Sequence, residues 1–195
     1  MIMKKVAVID IDNTLWPFCD AFYEELRRIN RAFPTPEHWT SFDIWEGYCS
    51  EEDFFGAINA IHFRQDSDKH LPYPEARNFL STLRETGYRL IIDSHRAPEA
   101  RNQTERWLAR HKLPCDMLHL SFDKTVLFGN ASVVVDDAPQ TLERAVESGA
   151  LGAGLCFPWN RTYAGNGFRL FHNLNEVLSY IVSSSPRIGA RGGSL

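Results

Sequence analysis

Cysteine is scarce: Cys19, Cys49, Cys115 and Cys156 lie far apart, with no C-x-x-C pair among them. A disulfide framework is therefore not expected, and all four read as reduced thiols. No apolar run approaches the ~18 residues of a membrane helix, so no membrane partner is expected. The apolar start Val6–Ile9 is broken at once by Asp10, too early for a signal-peptide core, and the expectation is a cytoplasmic protein. A long basic run is also missing, and the formal net charge is −4. That balance argues against a surface dedicated to duplex nucleic acid, while leaving room for a local basic pocket that takes one small anion. What is present is 195 residues, 44% hydrophobic and 24% charged. This suits one ordinary globular domain with an inserted subdomain and excludes collagen, coiled coil and wholesale disorder. Small-molecule chemistry is the first place to look, and nothing in the sequence fixes an oligomeric state.

Val6-Ala7-Val8-Ile9 is an apolar, partly β-branched run that ends in Asp10-Ile11-Asp12-Asn13-Thr14, the pattern of a buried strand delivering carboxylates to a turn. Phe18, Phe22, Leu26 and Ile29 recur at helical spacing until Pro34 and Pro36 stop them, and Ser50-Glu51-Glu52-Asp53 opens a second helix carrying Phe54, Ile58 and Ile61. From Pro74 the text alternates regularly. A helix with Ala76, Phe79, Leu80 and Leu83 on one face ends at Gly87; then come a strand at Tyr88–Asp93, a helix from Pro98 to His111, strands at Met117–Leu120 and Ser132–Val135, a helix from Pro139 to Gly149 and a strand at Gly154–Phe157. Asn173 caps a final helix through Val182. The expectation is an α/β fold, a Rossmann-like parallel sheet flanked by helices, built from residues 1–16 and 72–182, with a small helical cap at 17–71 inserted after the first strand and a frayed tail at 183–195.

Ligands of an open parallel sheet bind beyond the carboxyl ends of its strands. Every such end here is polar: Asp10 and Asp12 after the first, Asp93-Ser94-His95-Arg96 after the second, Asp123-Lys124 after the third and Asp136-Asp137 after the fourth. One aspartate after a strand is ordinarily a cap or a turn residue. Four such ends converging on one rim would repel one another unless a cation sat among them, and a set of oxygen ligands suits Mg²⁺. The Ser94 hydroxyl and the Lys124 ammonium add what a phosphate dianion needs.

Asp10-Ile11-Asp12-Asn13-Thr14-Leu15, then Ser94, then Lys124, then Asp136-Asp137 match in order and type the four motifs of the haloacid dehalogenase-like (HAD) phosphatases, which the chain resembles. Phosphoryl-accepting receiver domains use the same residue types but place the acidic pair on strand one and the lysine last. Within the superfamily the chain is most similar to the 5′(3′)-deoxyribonucleotidase-like group. The likeness lies in the helical cap, in Leu71-Pro72-Tyr73-Pro74, Gly87 and Trp107-Leu108, and in Val135-Asp136-Asp137-Ala138-Pro139 with Phe157-Pro158-Trp159-Asn160. Asn13-Thr14-Leu15-Trp16-Pro17-Phe18 also resembles magnesium-dependent phosphatases of phosphotyrosine or sugar phosphates.

The resemblance implies a Mg²⁺-dependent phosphomonoester hydrolase working through an aspartyl-phosphate, with a nucleoside monophosphate as substrate. Its alternatives are a sugar phosphate, phosphotyrosine or a polynucleotide end as substrate, or a binding module without catalysis. It makes Asp10 the nucleophile and Asp12 the general acid and base, whose proton affinity should rise in a loaded site. Mg²⁺ would be held by an Asp10 side-chain oxygen, the Asp12 carbonyl and Asp137, with Asp136 acting through water. Lys124 would neutralise the phosphoryl group, and Ser94 would bind its oxygens. Asp93 stands where nucleotidases carry a hydroxyl or an apolar residue, so the register of that hydroxyl is open. His95 reads either as a donor to phosphate or as an ordinary loop residue, and Arg96 as a partner of Asp93 or of phosphate. Of the cap aromatics Trp16, Phe18, Trp39, Phe42, Trp45, Tyr48, Phe54 and Phe55, most should form a small core, with Trp16 and Phe18 nearest the catalytic turn and able to stack on a base. The histidines at 38, 62, 70, 111, 119 and 172 show no metal spacing.

Overall fold

The computed structural model describes residues 5–41, 44–163 and 167–184. Phe42 and the tail from residue 185 lie outside the described residues. Six strands form one sheet: β1 (Lys5–Asp10), β2 (Tyr88–Ser94), β3 (Met117–Leu120), β4 (Val133–Val135), β5 (Leu151–Leu155) and β6 (Arg169–Phe171). Their order is β3-β2-β1-β4-β5-β6, and every pair is parallel. The expected α/β sheet is therefore present. Among the described residues six α-helices accompany it: α1 (Phe18–Ile29), α2 (Glu51–His62), α3 (Ala76–Glu85), α4 (Arg101–Arg110), α5 (Pro139–Glu147) and α6 (Leu174–Ser184).

β1 is central because four successive residues, Ala7 to Asp10, are buried, as a strand covered on both faces requires. The chain leaves β1 towards β2 and β3 on one side and returns to β4 on the other. The point where the strand order reverses thus lies between β1 and β4, and Asp10 and Asp136-Asp137 meet there. Register pairs Asp10 with Asp93 across β1 and β2.

Between β1 and β2, residues 17–71 hold α1, a short 3₁₀ turn at Pro36–His38 and α2, with no strand among the described residues. Ser50 caps α2 as its sequence suggests, accepting from the Asp53 backbone N–H at 3.1 Å. Among the described residues the helical insert has no separate core. One apolar cluster runs from Ile9, Leu15 and Phe79 through Trp16 and Phe18 to Phe22, Trp39 and Phe54.

Three local readings change. The strand expected at Gly154–Phe157 is β5, at Leu151–Leu155. The helix expected from Pro98 starts as a 3₁₀ turn and becomes α4 only at Arg101. β6 had no sequence signal, being three half-exposed residues at the sheet edge.

Candidate active site

A cavity of about 710 Å³ opens beyond the carboxyl ends of the strands. Its floor comes from the sheet: Asp10, Asp12, Lys124, Asp136 and Asp137. Its opposite wall comes from the helical insert and is apolar, with Phe18, Phe22, Trp39, Phe54, Phe55 and Ile58. Around the core side of the mouth stand His95, Thr125, Gln140 and Arg144.

On the floor, Asp10, Asp136 and Asp137 each offer an oxygen within 4.8 Å of the others, and all three are buried. Lys124 Nζ donates to Asp10 Oδ1 at 2.6 Å and to Asp136 Oδ2 at 2.8 Å. Burial works against the lysine's charge, but Asp10 and Asp136 outweigh it and hold Lys124 protonated above its ordinary range. One ammonium among three carboxylates leaves negative charge over. Burial pushes Asp10 well above the usual carboxylate range despite Lys124, and Asp137 is pushed up to about 8 by burial and by Asp136 beside it. Asp10 Oδ2 has no hydrogen-bond partner. An orphaned buried oxygen within an excess of oxygen donors fits a hard divalent cation such as Mg²⁺.

Backbone details hold this floor in place. Asn13 sits at φ 57°, a left-handed position that asparagine tolerates. There its Nδ2 donates to Asp137 Oδ2 at 3.1 Å, and its Oδ1 accepts from the Cys19 N–H at the start of α1. Asn160 Nδ2 donates to the carbonyls of Asp137 and Leu155 at 2.9 and 2.8 Å. At Gly154 an added Cβ would stand 2.1 Å from the Asp136 carbonyl oxygen, so only glycine lets β5 approach the acidic turn this closely.

Asp12 meets different surroundings. Arg96 Nη2 donates to both of its carboxylate oxygens at 2.8 Å, Trp16 Nε1 donates to Oδ1 at 2.8 Å, Ser94 Oγ donates to Oδ2 at 3.1 Å, and His62 Nε2 lies 3.1 Å from Oδ2. Burial would raise Asp12, but the Arg96 guanidinium and His62 hold it well below the usual carboxylate range. The proton affinity required of an acid is therefore absent in this arrangement, because a buried cation lies against the carboxylate.

The structure brings Asp10, Asp12, His95, Lys124, Asp136, Asp137 and Phe18 to one cavity. Two candidates are not brought there. Ser94 is fully buried, and its hydroxyl is used on Asp12 while accepting from Arg96 Nε at 2.9 Å, so it is turned from the place expected of a phosphate ligand. Trp16 is 1% exposed, packed on His70 and Trp107 with its N–H on Asp12, and has no face left for a base. Asp93 is also buried: its Oδ1 is 2.9 Å from His119 Nδ1, and burial raises its pKa. Arg96, left open between Asp93 and phosphate, does not bond Asp93; it bonds Asp12 from behind the cavity floor and does not line the cavity itself. His62, Asn13 and Asn160 carried no chemistry in the sequence reading. Asn13 lies inside the first motif and Asn160 closes Phe157-Pro158-Trp159-Asn160, so both asparagines had a local signal, and His62 had none.

No protein-family model and no curated protein of similar sequence matches the chain. Solved structures do match in shape. The D,D-heptose 1,7-bisphosphate phosphatase of Burkholderia thailandensis aligns with 92% of this chain and 99% of its own at TM-score 0.55 and 13% identity. A HAD hydrolase, family IA, variant 3, of Entamoeba histolytica aligns with 92% and 99% at TM-score 0.61 and 14% identity. A HAD family hydrolase of Deinococcus radiodurans, solved with phosphate and sodium, aligns with 92% and 96% at TM-score 0.61 and 15% identity. The chain shares the fold of HAD-like hydrolases, and at such identities the likeness extends to the fold alone.

Proposed function

We propose that the protein is a Mg²⁺-dependent phosphomonoesterase that attacks phosphorus with Asp10 and acts on a nucleoside monophosphate. The observation that carries the chemistry is the buried set Asp10, Asp136 and Asp137 with Lys124 bonded across two of them, at the switch point of a parallel sheet. Asp10 and Asp137, together with the Asp12 main-chain carbonyl and Asp136 through water, would hold the ion. Bound there, Mg²⁺ supplies positive charge against the phosphoryl oxygens.

An Asp10 oxygen attacks phosphorus in line; the bond from phosphorus to the leaving oxygen breaks, and that oxygen keeps the electron pair. Lys124, already fastened to Asp10, neutralises charge on the phosphoryl group and on the aspartyl-phosphate that forms. His95 faces the same space; burial and the nearby Lys124 lower its pKa and hold the imidazole neutral. Asp12 gives the leaving oxygen its proton and takes one from the water that cleaves the intermediate. The base half of that role suits its ionised state, and the acid half needs the negative charge of substrate to offset Arg96.

Substrate choice falls to the opposite wall. Phe18 and Phe22 are stacked at 5.4 Å between ring centres, and Phe22 meets Phe54 and Trp39 edge to face at 5.0 and 5.9 Å. A broad aromatic wall facing a polar mouth suits a leaving group with one flat face and one hydroxylated edge, as in a nucleoside.

The test is phosphate release from nucleoside 5′- and 3′-monophosphates, sugar phosphates and phosphotyrosine, with Mg²⁺ and with chelator, using Asp10→Asn as control. Mg²⁺-dependent release that prefers nucleotides and is abolished in the variant is the expected result. An equal or reversed preference would overturn the nucleotide assignment and leave the chemistry; Mg²⁺ binding without release from any member would overturn both.

A further inference from the structure

Arg96 lies two residues beyond β2 with its side chain fully buried. A buried guanidinium is unfavourable unless all its donors are met, and here all five are. Nε donates to Ser94 Oγ, Nη1 to Gln65 Oε1 at 3.3 Å and Thr104 Oγ1 at 3.0 Å, and Nη2 to the two oxygens of Asp12. Besides Asp12, these acceptors come from three places in the fold. Ser94 ends β2, Thr104 is on α4, and Gln65 stands three residues after α2, in the segment that returns from the helical insert to the sheet.

That segment is itself fastened to α4. Arg106 Nε donates to Asp66 Oδ2 at 2.6 Å, Arg110 Nη1 bonds the Asp66 carbonyl and Asp68 Oδ1, and Trp107 Nε1 donates to the His70 carbonyl. His62, the last residue of α2, reaches Asp12 directly from the insert. The carboxylate at the end of the first motif is thus joined through Arg96 and His62 to the elements that seat the aromatic wall.

We propose that Arg96 is the positioning residue of Asp12: its planar fork sets the orientation of the carboxylate and ties that orientation to the return segment of the insert. The group that handles the leaving oxygen's proton and the wall that holds the leaving group are thereby placed together. This rests on the phosphatase reading above. A lysine at 96 would keep the charge but not the fork.

The test compares two substrates that differ in their need for a proton on the leaving oxygen. p-Nitrophenolate departs without one, whereas the alkoxide of a nucleoside 5′-monophosphate does not. In Arg96→Met, kcat/KM on the nucleotide should fall by about 100-fold or more, the scale of general acid catalysis. On p-nitrophenyl phosphate kcat/KM should fall by less than about tenfold; this constant covers only the steps through departure of the leaving group and leaves out the hydrolysis of the aspartyl-phosphate, which Asp12 serves for both substrates. Arg96→Lys should show the same split. Should Arg96→Met fail to fold, the double variant Gln65→Leu/Thr104→Val removes both acceptors of Nη1 and leaves the guanidinium free to pivot; a smaller split in the same direction is expected. Equal losses on the two substrates, no loss on either, or a split abolished by Arg96→Lys would overturn the proposal while the phosphatase reading stands. A wild-type protein that turns over neither substrate with Mg²⁺ would overturn that reading, and the positioning role with it.

Discussion

Asp10 and Asp12 are two residues apart at the same strand end, the first buried and the second half-buried, and they face opposite electrostatic conditions. Around Asp10 lie two more carboxylates and one lysine, and its pKa is raised. Around Asp12 lie an arginine and a histidine, and its pKa is lowered. The first neighbourhood has negative charge in excess and an oxygen without a partner; the second is saturated with donors. A site that leaves one carboxylate unsatisfied and satisfies the next completely is arranged so that the first takes a ligand while the second keeps its place. Changes to the two halves should therefore move stability in opposite directions.

The largest effect is expected on the saturated side. Asp12→Asn leaves Arg96 buried without its counter-charge, and breaking such a pair from one side costs about 3–5 kcal/mol. Urea unfolding of the two proteins in chelator measures this. A loss below about 1 kcal/mol would mean that Arg96 finds another partner or water, and the contrast between the halves would fail.

The contrast also predicts a pH signature. Asp137 is pushed up to about 8 in the folded protein and titrates near 4 when unfolded. Between those values the folded state binds more protons, so the stability linked to this group is present at low pH and is lost as pH rises through about 4 to 8. Asp12 runs the other way: its folded pKa is depressed, so its contribution is present above about 4 and is lost as pH falls below that. Melting temperatures in chelator between pH 5 and pH 8, compared with Asp137→Asn, which keeps every histidine, should show the wild type losing more stability as pH rises. Mg²⁺ should reduce that difference, because the ion takes the place of the proton. A wild type that gains on the variant with rising pH, or a Mg²⁺ effect independent of pH, would refute the excess of charge at the floor.

How far these halves could be read in the sequence differs for physical reasons. The floor was legible because each part is local: an apolar strand such as Val133–Val135 runs straight into Asp136-Asp137, and alternation of strands and helices places such ends on one rim. The saturated half is built from contacts that sequence spacing does not encode. His62 and Gln65 reach Asp12 and Arg96 across 50 and 31 residues. A histidine on a helix without metal spacing gave no hint of that role, and a serine at a strand end gave no hint of which way its hydroxyl turns. In the sheet, β5 was misplaced because Gly152 and Gly154 weaken the strand pattern where close approach to Phe168 and Asp136 demands them. β6 escaped notice because three residues at an exposed edge carry neither a run nor an alternation.

The smallest change in stability should accompany the greatest loss of turnover. Asp10→Asn removes one of three crowded carboxylates and keeps the side chain's shape, and Lys124 retains its bond to Asp136 at 2.8 Å. What is lost is an attraction to one ammonium; what is relieved is burial of a charge beside Asp136 and Asp137. Desolvation is the larger of these influences on Asp10, so in chelator the variant should be more stable than wild type by about 0.5–2 kcal/mol, as when a strained functional group is removed. The gain should vanish on adding Mg²⁺, since the ion stabilises the wild type through a ligand the variant no longer offers. Unfolding curves of both proteins with and without Mg²⁺ decide the matter. A variant less stable than wild type in chelator would show that Lys124 already balances the floor, and the orphaned oxygen of Asp10 would then no longer argue for a cation.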